Sequence, residues 1–550
     1  MRSTLLATAV LLGAASSAAQ RNVSGSLPIQ EQSCYDARSY RLELRVDPEQ
    51  QSIEGSVTMR ATVLADCTRI ALDLDDALEV REVTVADRTA KHERGEHRIW
   101  IELPEAAKRG AELMVTVRYG GKPVVATNPP WTGGFTWAKT PSGAHWIATT
   151  CQGEGADLWW PCKDQPDDEP DTMDIFVTVP KDLVVALNGT LVKDEKRGAS
   201  RTFHWHVANP INVYCVSLNA APFEVVESTY TCSDGTKMPV QFFALPEHAA
   251  KAKKALPSFL DHVRHLESIC GPYPFRNEKY GIVETPHLGM EHQTLIAYGN
   301  GFRLEEDGYD WLHHHELSHE WWGNLVTNHG WKDMWIHEGI GTYMQALYLE
   351  EKRGTDAYFG EMREKRRGIM NRGAVAPREH RDSHQIYFTL SGNDIYNKGS
   401  WICHSLRWLI GDEAFFATLR RWAYPRKEFE AVTDGTQCRA TDTDEIRQIA
   451  EQVAKRDLGW FFDLYLHQAR LPRLDAELKD GVLHVSWHTP DDLPFPMPIE
   501  VKVGDTIRRI EMTDGRAEVQ VGTRDWELDP KGWVLRQNLQ GPSSKAKPRR

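Results

Sequence analysis

The chain reads His315-Glu316-Leu317-Ser318-His319 near its middle, and Glu338 follows after eighteen intervening residues. Side chains four positions apart share one face of a helix, so His315 and His319 can bind one metal ion while Glu316 lies one step around. A catalytic zinc needs three protein ligands and an open position for water. Glu338 stands at the predicted start of a second helix and can supply the third ligand. The pattern predicts a zinc site with its own general base.

The residues around this motif favour a metal site over a chance match on a surface helix. Leu317 lies within it, Trp321 and Trp322 follow after Glu320, and these apolar residues predict a buried helix. In an apolar setting, two histidines and a glutamate are costly without a metal or a charged partner. Gly323 is predicted to end the helix. His313 and His314 lack the Glu-x-x-His register, and we interpret them as flanking residues.

Length and composition describe an ordinary globular protein. A chain of 550 residues is too long for one core and should divide into two to four domains. Hydrophobic residues make up 41% and charged residues 26%, as in soluble proteins. The net charge is −13, from 65 Lys and Arg against 78 Asp and Glu. An acidic protein of this kind is not expected to bind nucleic acid.

The N-terminus predicts export. Arg2 precedes an apolar run from 5 to 15 and then small residues ending in Ser17-Ala18-Ala19. This is the pattern of a secretory signal peptide, with cleavage expected after Ala19. No other stretch reaches the eighteen or more apolar residues of a membrane span, so we expect a periplasmic or secreted protein.

Cysteine usage fits an exported enzyme without a disulfide scaffold. Nine cysteines are sparse for 550 residues, and their odd number leaves at least one unpaired. Cys34 and Cys67 flank the first predicted hairpin. They are the first pair that we would test for a disulfide bond.

Hydrophobic periodicity divides the rest of the chain. Alternating apolar and charged residues from Tyr40 to Val46 predict a half-buried strand, and similar runs recur to about residue 230. Beyond Pro246 the spacing becomes helical, and Pro257 is expected to kink or interrupt the first helix. After Pro472, alternation returns around two Asp-Gly turns, which predicts hairpins. The predicted parts are a signal peptide (1–19), an N-terminal β-sheet domain (20–236), a mostly helical catalytic domain (237–470), a small C-terminal β-sandwich (471–540) and a disordered basic tail (541–550).

Four short signatures, in order along the chain, together resemble one enzyme family. They are Thr150-Cys151-Gln152 through Pro161-Cys162, Leu288-Gly289-Met290-Glu291-His292, the stretch from His315 to Thr327 with Glu338-Gly339, and Tyr396-Asn397-Lys398-Gly399. The chain resembles the gluzincin zinc aminopeptidases, which include aminopeptidase N and the leukotriene hydrolase with aminopeptidase activity. The resemblance implies an α+β multidomain protein whose catalytic domain is thermolysin-like and holds one Zn²⁺ per chain.

The resemblance also implies a role for each site residue. His315, His319 and Glu338 would bind zinc, and Glu316 would act as the general base. Tyr396 would donate a hydrogen bond to the oxyanion that forms when water adds to the peptide carbonyl.

Substrate recognition is implied by two of the other signatures. Glu291, with help from Gln152, would hold the free α-amine of a peptide. Gly289 and Met290 would line the substrate site, because a glycine lets the substrate backbone approach closely. The expected partners are therefore peptides with a free N-terminus, whereas the sequence does not indicate an oligomeric state.

Several residues depart from the family pattern. Leu288 and His292 replace a glycine and an asparagine, which changes the first substrate pocket. The acidic run from Asp167 to Asp171 is predicted to be a solvated loop, in preference to a substrate-specificity element. Phe388 stands where the leukotriene-type enzyme has the acidic residue for epoxide opening, so epoxide hydrolysis is not expected. The resemblance ends near residue 540 without the family's large C-terminal helical domain, which predicts an open site and weak dependence on peptide length.

Two other functions fit parts of this pattern. A thermolysin-like endopeptidase would share the zinc site but would not need a charged amine anchor at Glu291. A catalytically inactive peptide-binding protein on the same fold would be expected to lose the base or a zinc ligand first, whereas here both are present.

Overall fold

The structure is a computed structural model that describes residues 24–305, 308–522 and 525–537. The predicted signal peptide (1–19) and the predicted disordered tail (541–550) lie outside the described residues. The fold is α+β and multidomain, with a sheet-rich N-terminal part, a helical catalytic part and C-terminal strands, as the sequence predicts. None of the helices in the described ranges is long and apolar enough to cross a membrane.

The N-terminal part consists almost entirely of strands that alternate between a buried and an exposed face. In the first strand, Tyr40, Leu42 and Leu44 are buried while Arg41 and Glu43 are exposed, as the alternation predicts. After a short helix α1 (Gln30–Ser33), the strands are β1 (Tyr35–Asp47), β2 (Ser52–Val63), β3 (Cys67–Asp73), β4 (Leu78–Val85), β5 (Arg88–Thr89), β6 (His92–Gly95), β7 (Arg98–Ala107), β8 (Glu112–Gly121), β9 (Gly134–Lys139), β10 (His145–Thr150), β11 (Thr172–Pro180), β12 (Val184–Ala186), β13 (Thr190–Arg197), β14 (Ser200–Val207) and β15 (Asn219–Ala221).

Three sheets order these strands within residues 24–305. An eight-stranded sheet has the order β13-β14-β11-β1-β2-β8-β4-β5, a four-stranded sheet has the order β12-β15-β10-β9, and a three-stranded sheet has the order β3-β7-β6. Strand β1 pairs antiparallel with β2 and parallel with β11, where Ser39 lies opposite Thr172. Gln152 is the second residue after β10, so the four-stranded sheet fixes its position.

The acidic run after β10 is not the solvated loop that the sequence predicts. Asp168 is buried, forms an ion pair with the ammonium of Lys163, and accepts a hydrogen bond from the Ala37 backbone N–H at 3.2 Å. A carboxylate can be buried at low cost when a cation and a backbone donor satisfy it. Asp167 beside it remains exposed.

The catalytic part combines a five-stranded sheet with a set of helices. Its strands are β16 (Glu224–Thr231), β17 (Lys237–Ala244), β18 (Tyr280–Glu284), β19 (Gly289–Met290), β20 (Ile296–Tyr298), β21 (Val326–Asn328) and β22 (Arg439–Thr441). Its helices are α2 (Ala249–Cys270), α3 (Trp311–Ser318), α4 (Trp335–Arg353), α5 (Thr355–Arg367), α6 (Asp394–Ile410), α7 (Asp412–Ala423), α8 (Thr443–Ala454) and α9 (Gly459–Tyr465), with a π-helical turn at Gln385–Leu390. Short 3₁₀ turns lie at Ala156–Leu158, Val213–Cys215, Pro246–His248, Trp331–Asp333, Lys427–Ala431 and Pro490–Asp492.

The sheet of the catalytic part places the strand with Gly289 and Met290 at its edge. Its strand order is β16-β17-β18-β20-β19, and Gly289 of β19 pairs with Tyr298 of β20. Strand β19 is the last strand, so its other edge pairs with no further strand among the described residues.

Helices α2 and α8 each have one notable local feature. Helix α2 continues through Pro257 from Ala249 to Cys270, so the predicted interruption is absent from this segment. At the start of α8, the Asp442 side chain caps the helix by accepting a hydrogen bond from the Glu445 backbone N–H at 2.9 Å.

The C-terminal strands form two three-stranded sheets. They are β23 (Arg473–Lys479), β24 (Val482–His488), β25 (Ile499–Val503), β26 (Thr506–Ile510), β27 (Arg516–Gln520) and β28 (Trp526–Leu528), with orders β23-β24-β27 and β26-β25-β28. The Asp480-Gly481 turn joins the paired strands β23 and β24, as predicted. The turn predicted at Asp514-Gly515 is present and closes one antiparallel bridge between Thr513 and Arg516. The strands on either side of it do not form the predicted hairpin, because β26 pairs with β25 whereas β27 pairs with β24 in the other sheet.

Cys34 and Cys67 are neighbours, as the spacing suggests, and both are free thiols in this structure. Burial and the contact with Cys67 raise the pKa of the Cys34 thiol to about 12. A thiol with so high a pKa is protonated at neutral pH and therefore unreactive.

Candidate active site

Helix α3 and the residue that follows it carry two of the predicted metal ligands. The Asp310 side chain caps the helix by accepting a hydrogen bond from the His313 backbone N–H at 3.1 Å. The helix ends at Ser318, five residues before the predicted stop at Gly323, because bonds from Glu320 N to Leu317 O and from Trp321 N to Ser318 O tighten the last turn. His319 keeps a helical backbone, with φ −68° and ψ −15°, and therefore stays on the face of His315.

Three donor atoms converge between α3 and the first turn of α4. The Nε2 atoms of His315 and His319 are 3.3 Å apart, and each lies 3.4 Å from Glu338 Oε2. Zinc–nitrogen and zinc–oxygen bonds of about 2.0–2.2 Å in a tetrahedral site place their donor atoms roughly 3.3–3.6 Å apart. These residues therefore fit Zn²⁺ as the cofactor.

Protein groups hold His319 and Glu338 in the orientation that a metal ion needs. His319 Nδ1 donates to the Trp322 carbonyl at 2.8 Å, which leaves Nε2 for the metal. Glu338 Oε1 accepts from the hydroxyls of Tyr396 at 2.9 Å and Tyr387 at 3.1 Å, and from Gln152 Nε2 at 3.3 Å. Glu338 Oε2 is buried and has no hydrogen-bond donor within the described residues, so it is the oxygen that is free to bind a cation.

The ionisation of this cluster reflects burial opposed by ion pairing. Burial raises the pKa of Glu338, but the two imidazoles outweigh burial and hold that pKa below its usual range. Burial lowers the pKa of His315; Glu338 opposes this, while His319 and Lys365 add to the lowering. A carboxylate and two imidazoles placed in this way favour a divalent cation between them.

The close packing of α4 against α6 positions Tyr396. A Cβ added to Gly339 would lie 2.8 Å from the Gly399 Cα, so the two helices cross where neither residue has a side chain. This approach places Tyr396, one turn before Gly399, with its hydroxyl on Glu338. Burial and the carboxylate of Glu338 raise the pKa of Tyr396 well above its usual value, so the hydroxyl stays protonated and can donate.

Glu316 lies beside the metal ligands with its carboxylate facing the same cavity. Carboxylate oxygens of Glu316 and Glu291 and a ring nitrogen of His319 all lie within 4.8 Å of one another. Burial, with the charge of Glu291 adding to it, raises the pKa of Glu316 well above its usual value. A raised pKa makes the Glu316 carboxylate a stronger base for the proton of a water molecule.

Gly289 lies directly against the predicted base. A Cβ added at Gly289 would lie 2.5 Å from Glu316 Oε1 and 2.7 Å from Leu312 Cδ1, so both side chains would have to shift. The family resemblance explains this glycine by the approach of the substrate backbone. The structure adds that the Glu316 carboxylate occupies this space.

Glu291 is the second buried carboxylate of the cavity, and it follows the edge strand β19. Its Oε1 accepts hydrogen bonds from Gln152 Nε2 at 2.5 Å and from the Tyr214 hydroxyl at 3.1 Å. The Asn324 side chain binds its backbone carbonyl at 3.2 Å. Burial raises the pKa of Glu291, which means that the carboxylate gains stability when a cation such as an ammonium group lies against it.

These residues surround one cavity of about 320 Å³. Every predicted site residue borders this cavity: Gln152, Gly289, Met290, Glu291, His315, Glu316, His319, Glu338 and Tyr396. Leu288 also borders it, whereas His292 is buried and neither of its ring nitrogens has a hydrogen-bond partner in the described part of the chain.

Three residues near the site escape prediction from sequence. Tyr214 binds Glu291 from a 3₁₀ turn of the N-terminal part, and Tyr387 binds Glu338 from the π-helical turn. Lys365 of α5 borders the cavity. No local pattern marks these residues, because each reaches the site only through the long-range packing of another element.

Two histidines and a glutamate on neighbouring helices, with a glutamate base between the histidines, define a zinc metallopeptidase. Residues 36–215 match the peptidase M1 N-terminal domain, and residues 279–465 match the peptidase family M1 domain. The chain belongs to peptidase family M1, and it is a zinc-dependent metallo-aminopeptidase.

Curated relatives and solved structures agree with this assignment. Leucine aminopeptidase 2 of Aspergillus terreus is 25% identical over 495 residues, which cover 82% of this chain and 75% of the relative. Leukotriene A-4 hydrolase of Xenopus laevis is 23% identical over 423 residues, or 72% of this chain and 66% of that protein. The crystal structure of an M1 zinc metallopeptidase from Deinococcus radiodurans has the same fold, with a TM-score of 0.67 and 20% identity over 80% of this chain and 95% of that chain.

Proposed function

We propose that this protein is an exported aminopeptidase that removes the N-terminal residue from peptides with a free α-amine. The observation that carries the proposal is the buried carboxylate of Glu291, held by Gln152 and Tyr214 within 4.8 Å of the general base and of a zinc ligand. A substrate ammonium bound to Glu291 would lie one residue from the bond that is cleaved.

In the proposed reaction, Glu316 accepts a proton from the attacking water and later returns it to the leaving amine. Zinc, when bound by His315, His319 and Glu338, lowers the pKa of water and polarises the peptide carbonyl. The Tyr396 hydroxyl turns from Glu338 to donate a hydrogen bond to the oxyanion that develops on that carbonyl.

The substrate backbone is proposed to extend along β19. An edge strand offers unpaired backbone groups to an extended peptide, and Gly289 and Met290 border the cavity at this edge. Strand pairing fixes the direction of the peptide, while Glu291 fixes where its amine stops. Together they select the first peptide bond.

Export is proposed on the basis of the signal-peptide pattern in residues 1–19. N-terminal sequencing of the mature protein checks this part of the proposal independently of activity. A mature N-terminus at Gln20 is the expected result, and retention of Met1 would contradict it.

Replacing Glu291 tests the amine anchor. For Glu291→Ala we expect kcat/KM on free-amine peptides to fall about 10²-fold or more, because a charged hydrogen-bonding partner of the substrate is lost. Cleavage of N-acetylated peptides should not fall in parallel. Steady-state kinetics on matched free and acetylated peptides measure both values.

Glu291→Gln is the matched control, because it keeps the shape of the side chain and removes only the charge. If the negative charge of Glu291 binds the substrate amine, Glu291→Gln should lose about as much kcat/KM on free-amine peptides as Glu291→Ala. Full activity in both variants would refute the role of Glu291.

A further inference from the structure

One positively charged side chain, that of Lys365, borders the active-site cavity. Lys365 lies on α5, in the last turn, and borders the same cavity as His315, Glu338 and Tyr396. Among the described residues that border this cavity, Lys365 is the one lysine, and there is no arginine. The acidic residues that border it are Glu291, Glu316 and Glu338. The catalytic chemistry described above makes no use of it.

Lys365 and the amine anchor are held by different parts of the fold. The side-chain partners of Glu291 are Gln152 and Tyr214 of the N-terminal part. Lys365 belongs to α5, which packs against α4 and α6. The zinc ligand Glu338 accepts hydrogen bonds from both sides, from Gln152 of the N-terminal part and from Tyr396 of α6.

The cavity that Lys365 borders also has four neutral polar side chains on its wall. Thr342 and Gln345 border the cavity one and two turns after Glu338 on α4, so the three side chains share one helix face. Asn393 and Asn397 border it from α6 and the residue before it. These groups can form hydrogen bonds with the backbone of a bound peptide that extends from the zinc site towards α5.

The ammonium of Lys365 is held by an ion pair with Glu361 and remains partly exposed. Its Nζ lies 3.0 Å from Glu361 Oε1, one turn earlier on α5, and the two side chains are 24% and 19% exposed. An ammonium has three donors, so an ion pair with Glu361 leaves capacity for a second anion. The intrahelical pair restricts the side chain and so reduces the entropy lost when an anion binds.

We propose that Lys365 binds the C-terminal carboxylate of short peptides, so that the enzyme prefers di- and tripeptides with a free carboxylate. The inference rests on the proposed aminopeptidase function, because it takes Glu291 as the site of the substrate amine. A small peptide is then bound at both of its charged ends, with its ammonium on Glu291 and its carboxylate on Lys365.

The size of the cavity agrees with a short substrate. Its volume of about 320 Å³ is near the lower limit of the roughly 300–1,000 Å³ of small-molecule sites. The inference replaces the expectation of weak dependence on peptide length that the sequence suggests. A longer peptide would carry its carboxylate past Lys365 and would lose that contact.

The test compares Ala-Ala-Ala with its C-terminal amide in the wild type and in Lys365→Met, which keeps a side chain of similar length without the charge. We expect the wild type to prefer the free acid by about tenfold or more in kcat/KM, as for a charge-assisted hydrogen bond. In Lys365→Met, the ratio of the two kcat/KM values should fall close to one, mainly through a rise in KM for the free acid.

Two further variants and one further substrate complete the test. Lys365→Arg retains a cation and should restore the preference, whereas Arg367→Met removes an exposed cation of the same helix and should leave it unchanged. Alanine p-nitroanilide has no carboxylate, so its cleavage should be similar in the wild type and Lys365→Met. Circular dichroism confirms that the variants are folded.

Different results would contradict the role of Lys365 and the proposed aminopeptidase function. No preference for the free acid in the wild type, or an unchanged preference in Lys365→Met, would overturn the role of Lys365. An equal loss on the anilide and on both peptides would show that Lys365 only supports the structure. Cleavage of acetylated alanine p-nitroanilide as fast as the free-amine form would instead contradict the proposed function, while the ratio of acid to amide would still report on Lys365.

Discussion

Glu316→Gln is expected to keep its zinc and lose about 10²–10⁴-fold in kcat, because the general base is removed while every ligand remains. Glutamine has nearly the same shape and cannot accept a proton at neutral pH. The three donor atoms of His315, His319 and Glu338 would stay 3.3–3.4 Å apart, so the metal site is preserved. The measurement is kcat on an aminoacyl p-nitroanilide, together with zinc content by mass spectrometry of the purified protein.

Zinc content separates loss of the base from loss of the site. Glu364→Gln, a substitution of an exposed carboxylate on α5, is the control for removing one negative charge from the protein. Glu364→Gln should retain both zinc and activity. Normal kcat in Glu316→Gln at full zinc occupancy would refute its role as base, and absence of zinc would show that Glu316 supports the metal site.

Tyr396→Phe is expected to lower kcat by about 10²–10³-fold with a small change in KM, because its hydroxyl is proposed to bind the oxyanion only in the transition state. In the structure this hydroxyl donates to Glu338 Oε1 at 2.9 Å. The variant therefore also loses one hydrogen bond to a zinc ligand. Steady-state kinetics on the same anilide measure both constants.

Tyr387 provides a matched control for the loss of a hydrogen bond to Glu338. Its hydroxyl donates to the same oxygen of Glu338 at 3.1 Å, so Tyr387→Phe also removes one hydrogen bond to the ligand. If Tyr396 stabilises the oxyanion, Tyr396→Phe should be slower than Tyr387→Phe by at least tenfold. Equal losses in the two variants would mean that both tyrosines only hold Glu338.

The zinc site could be predicted from the sequence because its geometry is local. Helical periodicity alone places His315 and His319 on one face, and the short segment to α4 brings Glu338 to them. The family resemblance then identified Glu291, Gln152 and Tyr396. The structure brings all of them to one cavity.

Features that depend on long-range packing could not be predicted in the same way. Tyr214 and Lys365 reach the cavity because whole elements pack together, and nothing in their neighbouring sequence distinguishes them. Asp168 looked solvated because its neighbours are acidic, whereas Lys163 pairs with it in a buried position. Asp514-Gly515 has the sequence of a hairpin turn, but strand pairing is decided by the sheets, and its flanking strands belong to different ones.

Glu291 is proposed to make this zinc site specific for a free N-terminus. The most direct test measures kcat/KM of the wild-type enzyme on alanine p-nitroanilide and on its N-acetylated form, each with and without a zinc chelator. We expect kcat/KM for the free-amine substrate to be at least 10²-fold above that for the acetylated one, and the activity to be lost with the chelator. Equal cleavage of both substrates would refute the role of Glu291 and favour an endopeptidase.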